Sequence, residues 1–583
     1  MRLAAEPLVP LPPGWPVRSL ADVNAALTAP GARFEMETVD IRGVPTRVWK
    51  NSPESLRALA LGARAWGDRE FTVYEGERVT YDANYRATCH LARALREMGV
   101  ERGDRVALAM RNLPEWSVIF FAVVSIGAIV VPVNAWWTRG EIEFALGDSG
   151  AKLLFVDDER HERLKDGYAT QPALERIIVS RAKASIEAPV HRLELLIGTS
   201  HDRVELPDVG LPDCAVEPDD PAAIFYTSGT TGHPKGALGS HRNFVTNILS
   251  SSYSTARAML RRGEVPPAVP EHKTTLAVIP LFHVTGCSAS MIVQIAAGWT
   301  AVYMHRWDPV RAMELIERER VNLTGGVPTI AWQLLEHPDR GRYDLSSLES
   351  ISYGGAPSAP ELVRRIHAEF GALPGNGWGM TETTATVTHH LGEDYLVRPT
   401  SAGPPVPVAD IRIMDPESSR ELPVGHVGEL WAKGPMVVQG YWNRPDATAA
   451  TFVDGWVRTG DLARVDGEGF LYVVDRAKDI IIRGGENIYS SEVEDVLYAH
   501  PAVTDAALIG VPHRTLGEEP VAVVHLAPGS DATEAELQDW VRARLAGFKV
   551  PVAVRFVEDI LPRNANGKIL KKDLKALFVE LPA

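Results

Sequence analysis

The strongest constraint on the fold is an alternation of short apolar runs with longer helical stretches, which begins near residue 56. Clear examples of the apolar runs are residues 105–110, 128–133, 152–158 and 274–280. Short apolar strands separated by helices are typical of parallel sheets covered by helices, so the pattern predicts α/β architecture. Residues 251–273 carry Arg, Pro and Gly without a clear period, which predicts a loop-rich connection.

Two hairpins are indicated outside this alternation. Residues 34–49 partly alternate around Arg42-Gly43 and predict a hairpin near the N-terminus. Residues 454–476 predict two strands joined by a turn at Asp466-Gly467. The region after about residue 425 therefore has more β character than the region before it.

The last hundred residues predict a small α+β domain. A short strand over residues 479–485 precedes a helix, whose start is indicated by a capping box between Ser491 and Glu494. Val493 and Leu497 contribute to the apolar stripe of that helix. The change in pattern predicts a domain boundary near residues 476–480.

Composition excludes several classes of protein. The 583 residues include 60 Lys and Arg against 75 Asp and Glu, a formal net charge of −15, which argues against nucleic acid or an anionic membrane surface as the main partner. The three cysteines form no C-x-x-C pair, and the N-terminus lacks a secretory apolar segment. The apolar run at residues 118–131 is too short to cross a bilayer and predicts a buried helix and strand. We expect a cytoplasmic protein without integral membrane association.

The loop at residues 226–236 is the most informative segment. Its eleven residues include four Thr or Ser, three Gly and Lys235, and they follow the apolar run AAIFY. Glycines let backbone N–H groups approach an anion, hydroxyls donate hydrogen bonds and a lysine adds charge, so the loop suits a polyphosphate. It is not a Walker A loop, and composition alone leaves a flexible surface turn as an equal alternative.

Six further motifs occur at intervals after this loop: PLFH (280–283), YGGAP (353–357), GWGMTET (377–383), VRTGDL (457–462), DRAKDIIIRGGENIY (475–489) and LPRNANGK (561–568). With the loop, they resemble the successive motifs of the AMP-forming adenylating enzymes, the superfamily of acyl-CoA synthetases, firefly luciferase and nonribosomal-peptide adenylation domains. The resemblance covers about residues 55–570. It implies a large N-terminal adenylate-forming domain of layered α/β subdomains plus a β-rich subdomain, and a small mobile C-terminal α+β domain. The implied division is an extension at 1–50 and domains at 51–477 and 478–583.

The resemblance implies a reaction in which a carboxylate attacks ATP to give acyl-AMP and pyrophosphate, after which a thiol, that of CoA, takes the acyl group. Cations and donors must then offset the repulsion between carboxylate and triphosphate. The residues implied to contact the triphosphate are Thr227, Ser228, Gly229, Thr230, Thr231, Gly232 and Lys235. Those implied to border the adenine are Gly355, Ala356, Pro357, Asn376, Gly377, Trp378, Gly379 and Met380.

Five residues of this implied site carry specific roles. Thr381 and Glu382 are implied to hold the α-phosphate and Mg²⁺, and Asp461, helped by Arg476, the ribose hydroxyls. Trp378 stands where the family usually has Tyr, and its flat face could stack on adenine. Seen alone, Glu382 would be a solvated loop carboxylate and Asp461 a turn residue.

Lys568 is the implied catalytic residue, which stabilises charge during adenylation. Without the resemblance it would be a solvated loop lysine, as its neighbours Lys571 and Lys572 are expected to be. Lys478 matches the hinge about which the family's small domain rotates between the two half-reactions.

Further residues are implied in the thiol-transfer step. Gly484, Gly485 and Glu486 resemble the loop beside the channel for the pantetheine arm of CoA, where two glycines permit close approach. His283 matches the junction of the acyl and CoA channels, although a single histidine is more often structural.

The acyl pocket predicts a hydrophobic monocarboxylic acid, whether fatty, aryl or alicyclic. By resemblance, the residues that border it are Val284, Thr285, Gly286, Cys287, Gly326, Val327, Ile330 and Asn376. They are mostly apolar or small, with no Lys or Arg to pair with a second carboxylate and no Asp for an amino group. The small side chain of Cys287 predicts an open path or a wide pocket.

The resemblance leaves four functions to compare. A free-standing acyl-CoA ligase that uses ATP, Mg²⁺ and CoA is favoured, since only 15 residues follow Lys568. Delivery of the acyl group to a carrier protein in trans is the alternative. A luciferase-like oxidation has no specific support, and a nucleotide-binding protein without catalysis is disfavoured by the presence of Lys568, Glu382 and Asp461. A homodimer is the working expectation for the oligomeric state.

Overall fold

The computed structural model describes residues 11–186, 190–227, 234–354, 360–476, 479–483, 486–563 and 569–578. Within these residues the chain forms five β-sheets. Two large, mainly parallel sheets, an antiparallel sheet and an N-terminal hairpin make up the first part of the chain, and a fifth sheet lies in a small C-terminal domain. The mixed α/β architecture with a large and a small domain confirms the predicted fold class.

The two large sheets arise from the predicted alternation of strands and helices. The seven-stranded sheet is parallel except for its edge strand, and its spatial order is Lys235–Ser240, Pro221–Thr227, Ile129–Pro132, Arg105–Ala109, Leu153–Asp157, Arg176–Ser180, Val190–Arg192. The eight-stranded sheet is parallel except at its two ends, and its order is Thr388–Leu391, Leu373–Trp378, Ser350–Gly354, Leu323–Gly326, Thr274–Ala277, Thr300–Tyr303, Glu70–Tyr74, Glu77–Thr80.

The other three sheets are largely antiparallel. The N-terminal hairpin pairs Met36–Ile41 with Val44–Trp49. The β-rich sheet contains Asp410–Met414, Gly428–Lys433, Phe452–Val453, Trp456–Val465 and Leu471–Arg476. The sheet of the small domain contains Ile481–Arg483, Glu486–Ile488, Val503–His513, Gly517–Leu526 and Ala553–Val557, of which the last pairs in parallel.

Helices cover the two parallel sheets and pack on both faces of the small-domain sheet. In the large domain the α-helices are Leu20–Leu27, Leu56–Ala63, Tyr81–Glu97, Pro114–Ser125, Arg139–Ser149, Asp158–Leu164, Glu194–Ile197, His241–Arg262, Val293–Ala297, Pro309–Glu319, Pro328–Glu336, Pro360–Phe370, Glu393–Val397 and Pro445–Thr451. A π-helix spans Thr285–Ile292, and 3₁₀ turns span Arg64–Trp66, Lys165–Thr170, Asp202–Glu205, Arg340–Arg342 and Thr381–Thr383. The small domain adds Ser490–Tyr498, Glu534–Arg542 and Lys571–Leu574, with 3₁₀ turns at Gly547–Lys549 and Lys575–Phe578.

The main core contains the apolar segment at residues 118–131. Every residue of the helix Pro114–Ser125 and of the strand Ile129–Pro132 is buried, which confirms the predicted buried helix and strand. No helix in the described ranges is long and apolar enough to cross a membrane. The Arg42-Gly43 hairpin is also confirmed. Its Trp49 packs against Tyr253 of the helix His241–Arg262, with 5.7 Å between the ring centroids.

The predicted loop at residues 251–273 is wrong over its first half, because the helix His241–Arg262 continues through it. Ser240 and Asn243 form a capping box at its start, and Gly263 ends it with φ +86°. Tyr253 is fully buried. Tertiary packing of that aromatic side chain outweighs the weak helical period of the polar residues around it.

Two details of the C-terminal prediction also differ. The turn after Trp456–Val465 has five residues, and Gly469 rather than Gly467 takes positive φ. The capping box is wrong: the Ser491 hydroxyl donates to the Val474 carbonyl, and the Glu494 carboxylate accepts the Leu508 N–H at 2.7 Å. These two side chains are used for tertiary contacts and not for the helix end.

A buried ionic cluster ties the large domain together. Glu115, in the first turn of the helix Pro114–Ser125, accepts from Arg203 at 2.8 Å and from Arg181 at 3.0 Å. Glu115 is 4% exposed and Arg203 is fully buried. Arg181 also forms two hydrogen bonds to Glu77. Glu115 and Arg203 are thus paired in a buried position, whereas Arg181 and Glu77 are partly exposed.

Candidate functional site

A cavity of about 1940 Å³ opens where strands of both parallel sheets end. Thr227, Gly326, Gly354 and Trp378 are the last residues of their strands, and all four line the cavity. Carboxyl ends of parallel strands are the usual place for ligands in α/β proteins. Side chains of the β-rich sheet and of the small domain complete the wall, so one cavity is shared by every major part of the fold.

Most of the described residues predicted to bind nucleotide line this cavity. They are Thr227, Lys235, Gly377, Trp378, Gly379, Met380, Thr381, Glu382 and Arg476, and His283 lines it as well. Asp461 lies immediately behind Gly460 of the lining and is 4% exposed. Twelve predicted residues fall outside the described ranges: Ser228, Gly229, Thr230, Thr231, Gly232, Gly355, Ala356, Pro357, Lys478, Gly484, Gly485 and Lys568.

Two predicted residues do not face the cavity. The Asn376 amide donates to the Ser401 carbonyl at 3.3 Å, and its oxygen accepts the Gly377 N–H at 2.8 Å. Its side chain therefore fixes the end of the strand Leu373–Trp378. Glu486 is exposed on a short strand of the small domain.

Glu382 is buried beside a tyrosine that the sequence did not single out. The Tyr441 hydroxyl donates to Glu382 Oε1 at 2.6 Å, and the Lys235 ammonium lies 4.9 Å from the Tyr441 ring centroid. Burial raises the pKa of Glu382, and the hydrogen bond from Tyr441 only partly offsets this effect. Glu382 is thus a desolvated carboxylate next to a cation, which contradicts the solvated-loop alternative.

The position of Tyr441 follows from backbone hydrogen bonds. Residues 438–442 run between the edge strand Lys235–Ser240 and Glu382: Leu238 N–H donates to Gly440 O at 2.9 Å, and Val438 N–H to Glu382 O at 3.0 Å. A GYW segment outside the strands is a weak signal in sequence, so Tyr441 was missed. Only the tertiary arrangement brings it against the carboxylate.

Asp461 is held by one hydrogen bond and one ion pair. The Trp378 indole N–H donates to Asp461 Oδ2 at 2.8 Å, and the Arg476 guanidinium lies 2.9 Å from Oδ1. Asp461 and Arg476 are paired neighbours on adjacent strands, and Gly460 takes φ +69° just before the carboxylate. The turn at Gly460 therefore places Asp461 between the other two side chains.

His283 is neutral at physiological pH. Burial lowers its pKa to about 3, and its Nε2 atom is buried without a hydrogen-bond partner among the described residues. Its ring packs 4.8 Å from that of Phe282, which in turn lies 5.7 Å from the ring of Trp136. A neutral imidazole at the wall can orient a ligand by a hydrogen bond but carries no charge to offset an anion.

The apolar arm of the cavity partly matches the predicted acyl pocket. Val284, Thr285, Gly326, Val327 and Ile330 line it, together with residues that the sequence did not identify, including Ala289, Val293, Met304 and Trp307. Gly286 and Cys287 do not line the cavity. Cys287 is fully buried in the π-helix Thr285–Ile292, so the open path predicted at Cys287 is wrong.

Cations at the cavity were also missed. Arg111 and Arg306 both line it, and the Arg111 guanidinium lies 5.4 Å from the ring centroid of Trp136. They come from the ends of separate strands, where no local pattern marks them. The prediction that the pocket region lacks Arg holds for its apolar arm and not for the cavity as a whole.

Lys571 is not solvated, in contrast to the sequence prediction. Its ammonium lies 2.7 Å from Glu494 Oε1 and 2.7 Å from the Ser490 hydroxyl. Burial disfavours its charged form, but the carboxylates of Glu494 and Asp475 outweigh burial and raise the pKa of Lys571. Lys572 is exposed, as predicted.

Ser490 continues this network across the two domains. Both its N–H and its hydroxyl donate to Asp475 Oδ2, the latter at 2.8 Å. Asp475 belongs to the last strand of the β-rich sheet, whereas Ser490 begins the first helix of the small domain. The C-terminal segment is therefore anchored through one polar chain to the large domain.

Comparison with known proteins identifies related chains over most of this length. The sequence profile of the AMP-binding enzyme matches residues 59–442, and that of the AMP-binding enzyme C-terminal domain matches residues 492–568. A feruloyl-CoA synthase from Amycolatopsis sp is 37% identical over 86% of this chain and 94% of its own. A long-chain-fatty-acid–CoA ligase from Bacillus subtilis (strain 168) is 33% identical over 88% of this chain and 93% of its own.

The fold is likewise similar to a solved structure with bound nucleotide. The o-succinylbenzoate coenzyme A synthetase from Bacillus subtilis, in complex with ATP and magnesium ion, has a TM-score of 0.74 and 30% sequence identity. The match covers 89% of this chain and 99% of that chain.

Proposed function

Since this chain belongs to the AMP-binding enzyme family and is an AMP-forming acid–CoA ligase that uses ATP, Mg²⁺ and CoA, we propose which part of its cavity binds the nucleotide and which part binds the acid. One observation carries the proposal: a buried carboxylate, a lysine and an apolar arm meet in one cavity. Lys235 and Glu382 lie at one side, and Val327 and Ile330 line the other. The first side suits a polyphosphate, and the second suits the hydrophobic part of an acid.

The proposed roles follow the arrangement of charges. Lys235, with the loop at residues 228–233, binds the β- and γ-phosphates, and Asp461 accepts from the ribose hydroxyls. Glu382 offers one carboxylate to Mg²⁺, a cation that proteins usually hold through one or two carboxylates together with substrate phosphates and water. The bound cation neutralises phosphate charge. His283 hydrogen-bonds the ligand where the apolar arm meets the rest of the cavity.

The acid is proposed to be a hydrophobic monocarboxylate. Relatives named for feruloyl-CoA and for long-chain fatty acids support both aryl and fatty acids, and the apolar lining supports either. A carrier protein in trans is the alternative acceptor of the acyl group. We propose Arg306, and Arg111 beside Trp136, as contacts for anionic groups outside the apolar arm.

A substrate panel tests this proposal directly. The protein is incubated with ATP, Mg²⁺ and cinnamic, benzoic, medium-chain and long-chain acids, with and without CoA, and the products are identified by mass. We expect acyl-AMP without CoA and acyl-CoA with it. Dicarboxylates as the preferred substrates, or acyl-AMP that CoA never consumes, would contradict the proposed acid or acceptor.

Glu382→Gln should raise the Mg²⁺ concentration needed for half-maximal pyrophosphate release by about tenfold or more and should slow adenylation. The amide keeps the shape of the side chain but loses the charge that makes a carboxylate a good ligand for a hard cation. Tyr441→Phe is the matched control, because it removes the hydrogen bond to Oε1 and keeps the charge. An unchanged Mg²⁺ titration in Glu382→Gln would reject this ligand role.

The domain division is also a proposal: residues 51–477 and 478–583, with Lys478 as the hinge. Lys478→Pro should retain part of acyl-AMP formation and lose most thioester formation from supplied acyl-AMP, because proline fixes φ near −65° and resists rotation. The two half-reactions are measured separately in single turnovers. An equal loss in both would place the hinge elsewhere.

We propose a cytoplasmic location and a homodimeric state. Three cysteines that form no disulfide are compatible with a reducing compartment. Sedimentation of the purified protein tests the dimer, and fractionation of the source cells tests the location.

A further inference from the structure

The carboxylate of Asp461 is oriented from both sides. Trp378 Nε1 lies 2.8 Å from Oδ2, and Arg476 Nε lies 2.9 Å from Oδ1. Trp378 comes from the eight-stranded sheet, whereas Asp461 and Arg476 come from the β-rich sheet. The carboxylate therefore cannot rotate without breaking the charge-assisted hydrogen bond from the indole and separating the ion pair with Arg476, in a mostly buried position.

One hydrogen bond and one ion pair leave acceptor capacity on both oxygens of Asp461. An ionised carboxylate offers about four lone-pair sites, so each oxygen of Asp461 retains one. Trp378, Gly460 and Arg476 line the cavity around it. Acceptor sites on both oxygens lie in the plane of the carboxylate, so the group can accept hydrogen bonds from two adjacent hydroxyl groups of one ligand.

The backbone holds the indole in place for this role. Trp378 pairs with Thr388 in the antiparallel ladder, its carbonyl accepts the Val387 N–H at 3.0 Å, and its ring packs against the hydrophobic cluster that contains Val387 and Val406. The donor atom lies on the side of the indole ring. A phenol carries its hydroxyl at the tip, so tyrosine in the same rotamer cannot repeat this hydrogen bond.

We propose that Trp378 is a positioning residue for nucleotide recognition: its indole N–H, together with Arg476, fixes the Asp461 carboxylate so that its free lone pairs accept both ribose hydroxyls. This inference rests on the proposed function, in which Asp461 binds ribose. It goes beyond adenine stacking, because a stacked ring needs no N–H and would act equally on every adenine nucleotide.

Ribose-modified nucleotides test the proposal. Dissociation constants of ATP, 2′-deoxy-ATP and 3′-deoxy-ATP are measured by calorimetry at one fixed Mg²⁺ concentration, for the parent and for Trp378→Phe. Hydrogen bonds to a charged group correspond to roughly 10- to 100-fold in affinity. We expect the parent to prefer ATP over each deoxy analogue by about tenfold or more, and Trp378→Phe to reduce that preference to about two- to threefold.

Two further variants serve as controls for this measurement. Trp431→Phe removes another indole–carboxylate hydrogen bond, the 2.9 Å contact to Glu429, and should leave the ribose preference unchanged. Asp461→Asn should abolish the preference. If Trp378→Phe fails to fold, β-(3-benzothienyl)alanine at position 378 keeps the ring size without the N–H and should give the same loss.

Each contrary outcome has a distinct meaning. If Trp378→Phe weakens ATP and its deoxy analogues by the same factor, the indole only stacks and the proposal is overturned. If Asp461→Asn keeps the preference, the ribose role of Asp461 and the proposal with it are wrong, although acyl-AMP formation by the parent would still support the proposed function. A parent that binds no ATP would contradict the proposed function itself.

Discussion

Lys568→Ala should slow acyl-AMP formation by about 10²- to 10³-fold, the usual cost of losing one preorganised group that stabilises charge in the transition state. ATP binding should stay near the parental value, because Lys235, Glu382 and Asp461 are unchanged. The flanking residues Arg563 and Ile569 pair with each other across a β-bridge and both line the cavity. Lys568 directly precedes Ile569 in the sequence.

ATP–pyrophosphate exchange measures this step, and Lys549→Ala is a control lysine of the same domain that pairs with Glu492 and does not line the cavity. Thioester formation from supplied acyl-AMP should persist in Lys568→Ala. Exchange at the parental rate would remove Lys568 from the mechanism, and a loss of both half-reactions would indicate a structural effect.

Glu115→Ala should lower the free energy of unfolding of the large domain by about 3–5 kcal/mol, because it leaves a buried guanidinium without its carboxylate. Arg203 is fully buried, and Glu115 is its ion-pair partner within the described residues. The free-energy cost of burying the Arg203 cation is then no longer offset by an ion pair. Urea unfolding, followed by tryptophan fluorescence, measures the change.

Glu162→Ala is the matched control, since its ion pair with Lys165 is solvent-exposed on both sides. Exposed pairs contribute little, so the urea midpoint should hardly move. Equal shifts in the two variants would mean that the Glu115 cluster is no more stabilising than a surface pair. The double variant Glu115→Ala, Arg203→Met should recover part of the loss, because it removes the unpaired charge.

The sequence was informative wherever one segment carries its own pattern. The buried run at residues 118–131 and the Arg42-Gly43 hairpin depend on local periodicity, and the structure confirms both. The polyphosphate loop and the GWGMTET motif were likewise recognised as continuous segments, and Trp378 and Glu382 of the latter line the cavity.

Local patterns fail where contacts across the chain decide the outcome. Tyr441 contacts Glu382 although it lies 59 residues further along the chain. Arg111 and Arg306 line the same cavity although they follow strands of two different sheets. Lys571 was expected in solvent because a lysine-rich segment usually is. Instead it contacts Glu494 and Ser490, and the sequence pattern had predicted that Glu494 forms a helix cap with Ser491.

The polar chain from Asp475 through Ser490 to Lys571 has a consequence for the equilibrium between orientations of the small domain. In the proposed rotation about Lys478, Asp475 lies before the hinge and Ser490 after it, so the rotation would separate the two and expose a carboxylate to water. The ratio of the two populations then depends on how well water and salt replace this contact. Ionic strength becomes a means of shifting the ensemble without altering any residue that touches substrate.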